Sequence, residues 1–125
     1  MFNFEKLEVW RKAIEFADQV YTVTRSFPEN ERFGLTNQMR RAAVSISSNI
    51  AEGSSRSSKS DFARFIQIAG SSVFEVVSQA TICRRQGFLS EEAFTRLYSA
   101  VEEQSKMLSG LKKSLNSQLS TKSNP

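Results

Sequence analysis

The stretch LTNQMRRAAVSISSNIAEG, residues 35–53, is followed after a short polar loop by SDFARFIQIAGSSVFEVVSQATICRRQG, residues 60–87. These two stretches decide the fold. In the first, Leu35, Met39, Ala42, Ala43, Ile46 and Ile50 recur at steps of three and four, the period that gathers apolar side chains on one face of an α-helix. In the second, Phe62, Phe65, Ile66, Ala69, Val73, Val76, Val77, Ala80 and Cys83 do the same. Gly53 and Gly87 stand where a glycine commonly ends a helix. Folding the chain back about the polar loop pairs residues whose numbers sum to roughly 112, because antiparallel helices rise equally per residue. Ala42 then faces Gly70, Ile46 faces Ile66 and Ile50 faces Phe62. A mid-helix glycine costs about 1 kcal/mol relative to alanine, and a close crossing at Gly70 would explain it.

Working outward, a further helix precedes this hairpin and another follows it. Upstream, Trp10, Ala13, Ile14, Ala17, Val20, Tyr21 and Thr24 keep helical spacing until Phe27-Pro28 stops it, since the residue before proline is pushed out of helical geometry. Val9, Phe16 and Val23 form a second apolar stripe on the same helix. Downstream, Ser90 is placed to cap a helix whose first turn holds Glu91 and Glu92, where the helix dipole favours anions. Phe94, Leu97, Val101, Gln104, Leu108, Leu111 and Leu115 carry its seam. The pattern predicts an all-α protein, an antiparallel up-down four-helix bundle over residues 1–115, with helices at about 7–25, 35–52, 60–86 and 91–115. Residues 116–125 read as a flexible polar tail.

Composition agrees and removes most catalytic chemistry. The chain has 125 residues, enough for one core, and only five Gly and two Pro, too few for the turns of an all-β fold. It has no His, which excludes His-based triads, His metal sites and His proton switches. Its single Cys, Cys83, cannot form an internal disulfide and falls on a core stripe. No apolar run approaches the ~20 residues of a membrane span. The N-terminus lacks a basic segment followed by an apolar one, so a cytoplasmic location is expected. No cofactor is expected.

Lys and Arg number 17 against 13 Asp and Glu, a net charge of +4. That excess permits contact with phosphates without demanding it. Arg40 and Arg41 project from the second helix, Arg56 from the loop and Arg64 from the third; Arg41, Arg56 and Arg64 with Lys59 can gather near the hairpin tip to hold phosphate. The same groups read equally well as solvated or ion-paired surface. Glu52, Asp61 and Glu75 offer the oxygens a magnesium ion takes, but Glu52 is as readily a partner of Arg41 or Arg56. Apolar residues off the core stripes are a further signal: Val9, Phe16 and Val23 on the first helix, Ile68, Phe74 and Ile82 on the third. Such surface suits self-association, unless an irregular core absorbs it.

The run from Gly34 to Arg56, GLTNQMRRAAVSISSNIAEGSSR, resembles the signature of the bacterial four-helix bundle family named for 23S rRNA intervening sequences. Leu7-Glu-Val-Trp10 with Ala13, Phe27-Pro28 with Glu31, and the run from Phe65 to Glu75 are similar too, so the likeness spans roughly residues 4–115. The resemblance implies a cytosolic bacterial protein assembled as a homo-oligomeric ring, commonly a pentamer, with no established activity or cofactor. It also implies that Gln38, Arg41, Asn49 and Glu52 form a structural polar network with Arg56 beside it. The functional expectation is a noncatalytic oligomeric bundle that engages RNA or DNA through its arginines. A protein-binding scaffold, and a magnesium-dependent nuclease or phosphatase, are the alternatives.

Overall fold

The computed structural model describes residues 1–123, with side chains for residues 1–118. Four helices carry the structure: α1 (Glu8–Thr24), α2 (Asn37–Ser54), α3 (Lys59–Arg85) and α4 (Glu91–Ser123). No strand occurs among the described residues. Each helix packs on the next, and α4 returns to α1, so the four enclose one core. Cross-helix contacts fix the sense of each pair. Met39 meets Cys83 at 3.6 Å and Ser45 meets Ser72 at 2.9 Å, numbers that fall on α3 as they rise on α2. Arg40 reaches back to Thr24 at 2.9 Å, and Gln104 reaches the Val9 carbonyl at 3.2 Å.

Local chemistry sets the helix ends. The Ser58 hydroxyl accepts from the Asp61 N–H at 3.1 Å to start α3, and Ser90 accepts from the Ala93 N–H at 3.1 Å to start α4. Gly87, at φ 81, ends α3; its N–H donates to the Arg84 carbonyl and that of Phe88 to Cys83. Gly53 was expected in the same role at the end of α2, but it lies inside the last turn and is buried. A Cβ there would stand 2.7 Å from Phe65 Cβ and 2.9 Å from Phe62 Cδ1. Glycine is therefore required by the close approach of α3. Gly70, where the crossing was expected, has nothing within 4 Å of its Cβ position. The notch sits at the tip of the hairpin, not at mid-height.

The inward face of α1 also differs from the expected stripe. Val9, Ala13, Phe16, Val20 and Thr24 are buried, while Ile14 and Tyr21 stay partly exposed. Two stripes share Ala13 and Val20, and the one carrying the larger Phe16 fills the core. Val9 and Phe16 are thereby removed from the candidate association surface, and Val23 packs half-buried against the core. On α4 the expected seam holds Leu97, Val101, Gln104, Leu108 and Leu115 inside. The helix does not stop at 115: its backbone stays helical to Ser123, and residues 124–125 lie outside the described residues. Once Leu115 anchors the preceding turn, propagation adds one backbone hydrogen bond per further residue, which extends the helix.

Candidate functional site

The expected polar network divides into two. On α2, Gln38, Arg41, Ser45 and Asn49 follow one another at helical spacing, and on α3 so do Ser72, Glu75 and Gln79. Gln38, Arg41, Ala42, Ser45, Ser72, Glu75 and Gln79 line an open groove of about 430 Å³ between the two helices. Asn49 Nδ2 donates to the Ser45 carbonyl at 2.8 Å and to Ser45 Oγ at 3.0 Å. Ser45 Oγ lies 2.9 Å from Ser72 Oγ, and Ser72 Oγ donates to the Ile68 carbonyl at 3.4 Å. Arg41 and Glu75 are exposed and have no ion-pair partner among the described residues. Gln79 Oε1 is shut off from solvent and has no hydrogen-bond partner among the described residues. An unsatisfied buried acceptor costs about 1–3 kcal/mol, so this one needs a reason.

Glu52 belongs elsewhere. Its carboxylate takes Arg56 at 2.7 Å, and Arg56 also reaches Asp61 at 3.8 Å. Arg64 binds Asp61 at 3.0 Å, and the guanidinium groups of Arg56 and Arg64 each stand 4.6 Å from the centre of the Phe65 ring. The hairpin tip is thus a cation–carboxylate–aromatic cluster, in which the positive charge is already spoken for. Lys59, half-buried at the start of α3, has no ion pair among the described residues. Arg40 donates to Thr24 Oγ1 and lies 4.6 Å from the Tyr21 ring centre. Of the five basic candidates, Arg40, Arg56 and Arg64 therefore have intrachain partners. Arg41 does not join them; it borders both the α2–α3 groove and a second groove of about 460 Å³ with Tyr21, Asn37 and Arg40.

The magnesium reading loses its geometry. Asp61 and Glu52 share Arg56, while Glu75 stands in the polar groove, and no group of three metal-ligating side chains occurs among the described residues. Cys83 is fully buried beside Met39, and burial, followed by the charge of Glu31, pushes its thiol up to about 11. At neutral pH it stays protonated and is a poor nucleophile.

The third helix also keeps apolar residues outside. Phe74 is 70% exposed, with Ile68 at 38% and Ile82 at 46%. Phe74 lies beside a groove of about 310 Å³ between α3 and α4, bordered by the small residues Gly70, Ser71, Ser105 and Ser109. Val44 and Phe33 are exposed too; sequence reasoning missed them, although Val44 falls off the Ala43–Ile46–Ile50 face. It likewise missed Ser72 and Gln79, for which the signal was a polar run at steps of three and four beside an apolar stripe.

Residues 5–110 match the family model of the 23S rRNA-intervening sequence protein, covering the signature on α2, the notch at Gly53 and the α3 groove wall. The chain belongs to this family. Among solved structures, one similar to this member is a crystal structure of a protein with unknown function from the S23 ribosomal protein family of Bacteroides thetaiotaomicron. The two superpose with a TM-score of 0.78 at 24% identity, over 84% of this chain and 98% of the other. At that identity the likeness establishes the helical fold. No curated protein matches the chain. No helix among the described residues of this intervening-sequence protein is long and apolar enough to cross a membrane.

Proposed function

We propose that this intervening-sequence family protein is a noncatalytic, self-assembling bundle that serves as a scaffold, with copies joined through the outer ridge of α3. The observation that carries the reading is Phe74, largely exposed beside a groove whose border includes Gly70, Ser71, Ser105 and Ser109. Small side chains let a neighbouring element approach, and a large apolar side chain next to them gains by being covered. Ile68 and Ile82 are partly exposed on another face of α3, in line with Ser72, Glu75 and Gln79. The family resemblance favours a closed ring, commonly of five copies. Closed symmetry buries such a ridge in every copy without open-ended growth.

Sedimentation velocity on the purified full chain tests this directly. A single species at a multiple of the 14.1 kDa chain mass is the expected result. A monomer persisting at about 100 μM, weaker than the affinities of ordinary specific complexes, overturns it.

A second reading, contact with RNA or DNA, is favoured by Arg41, which borders two grooves without an ion pair among the described residues. Phosphate contacts release counterions, so such binding weakens steeply with salt. Filter binding of structured RNA at 50 and about 200 mM salt separates it from the scaffold reading. Retention without salt dependence, or none at all, removes it.

A further inference from the structure

We propose that the groove between α2 and α3 binds a small zwitterion, a molecule with one carboxylate and one primary ammonium, of which a free α-amino acid is the simplest. Phe74, which carries the association reading, projects on the α4 flank of α3, while Ile68 and Ile82 fall in line with the Ser72, Glu75 and Gln79 wall of this groove.

The two walls of the groove differ in hydrogen-bonding sense. Ser45 Oγ and Ser72 Oγ share one hydrogen bond at 2.9 Å in which either hydroxyl can donate, and Ser72 Oγ also lies 3.4 Å from the Ile68 carbonyl. Ser45 in turn accepts from Asn49 at 3.0 Å. In either arrangement Ser72 Oγ keeps at least one lone pair free for a further donor. The α3 wall therefore carries acceptors at Ser72 Oγ and the Glu75 carboxylate, with Gln79 Oε1 buried behind it. They recur at Ser72, Glu75 and Gln79, one turn apart on one face.

Gln79 Oε1 is unsatisfied where it lies. Its terminal torsion is soft, so the amide can turn toward a donor placed in the groove. An ammonium supplies three donors on one compact centre, which is what a carboxylate with a neighbouring amide oxygen and hydroxyl oxygen can hold.

The α2 wall presents the opposite pole. The planar guanidinium fork of Arg41 matches a carboxylate. Gln38 stands one turn before it with an amide that also donates. Arg41 and Glu75 are not ion-paired to each other, so both poles are open to a ligand. One cation and one anion make a groove of zero net charge, which selects a ligand of the same kind over a simple anion or polycation. About 430 Å³ of space falls in the range, roughly 300–1,000 Å³, of small-molecule sites.

The test is an NMR titration of the isotope-labelled full chain with each of the common α-amino acids, and with acetate and methylammonium as the separate halves. The expected result is saturable shifts of the Gln79 side-chain amide and the Arg41, Ser72 and Glu75 backbone amides, with a midpoint on the order of 1 mM or tighter for at least one amino acid. Acetate and methylammonium bind at least about tenfold more weakly, and Arg41→Gln and Glu75→Gln each cost about tenfold. Both positions are exposed, so the variants keep the wild-type circular dichroism and melting temperature. No saturable shift with any amino acid up to about 50 mM overturns the proposal. So does an equal response to the halves, or a midpoint that neither variant moves.

Discussion

Replacing Phe74 with alanine isolates the association ridge from the fold. The side chain is 70% exposed, so the bundle loses little of its own packing. Fully burying a Phe is worth roughly 1.5–3 kcal/mol, and covering the exposed fraction in a neighbour's groove accounts for about 1–2 kcal/mol per contact. At 1.4 kcal/mol per factor of ten, Phe74→Ala weakens each contact about 5- to 30-fold. Sedimentation velocity over a hundredfold range of protein concentration reads this as a shift toward smaller species. Thermal unfolding of the dissociated chain serves as the control, because an exposed substitution stays within about 0.5 kcal/mol. An unchanged association profile refutes the assignment of the contact to this ridge. A collapse in stability refutes the exposure argument itself.

Three other outcomes follow from particular distances. Gly53→Ala forces a Cβ to 2.7 Å from Phe65 Cβ and destabilises the bundle by about 1–3 kcal/mol, whereas Gly70→Ala meets nothing and stabilises it by about 0.5–1 kcal/mol; paired thermal melts give both signs. Leu97→Ala, at a position 1% exposed, costs about 2–5 kcal/mol in urea unfolding, and a cost under 1 kcal/mol contradicts the core drawn here. Native Cys83 resists thiol reagents until the chain unfolds, because it is buried and protonated. Its raised thiol makes the folded state bind the proton more tightly. That share of stability is intact below about 9 and is lost as pH rises toward about 11, a slope that Cys83→Ala removes.

The helices were legible because period and punctuation agreed. Met39, Ile46 and Ile50 on α2, Ile66, Val73 and Cys83 on α3, and Leu97, Val101 and Leu108 on α4 are buried at the positions their spacing predicts. Position around the helix axis was harder on α1, where two stripes overlap and only the volume of Phe16 against Ala17 separates them. Helix–helix approach was harder still. Equal rise fixes register only relative to the point where the chain turns: Ser45 meets Ser72 rather than Gln67, and the close crossing expected at Gly70 falls at Gly53 against Phe65. For the candidate site, spacing located Gln38, Arg41 and Asn49 on one face and offered the i,i+4 pairing of Glu52 with Arg56, while the contact of Arg56 with Asp61 depends on how the loop folds back. The two arginines about Phe65 show the same limit: charge counts in a sequence do not reveal which charges have already met.

The missing side chain at Gly53 has an implication for the connection beside it. Backbone and aromatic ring are held in register there by direct contact, before the intervening residues 55–58 begin. Arg56 ties Glu52 to Asp61 and Ser58 caps α3, so Ser57 between them is the position that merely bridges two ends already adjacent, and doubling the length of a flexible bridge costs about 0.6 kcal/mol. The hairpin turn is therefore a place where this chain can accept inserted sequence, or a fused module, while the two helices keep their grip.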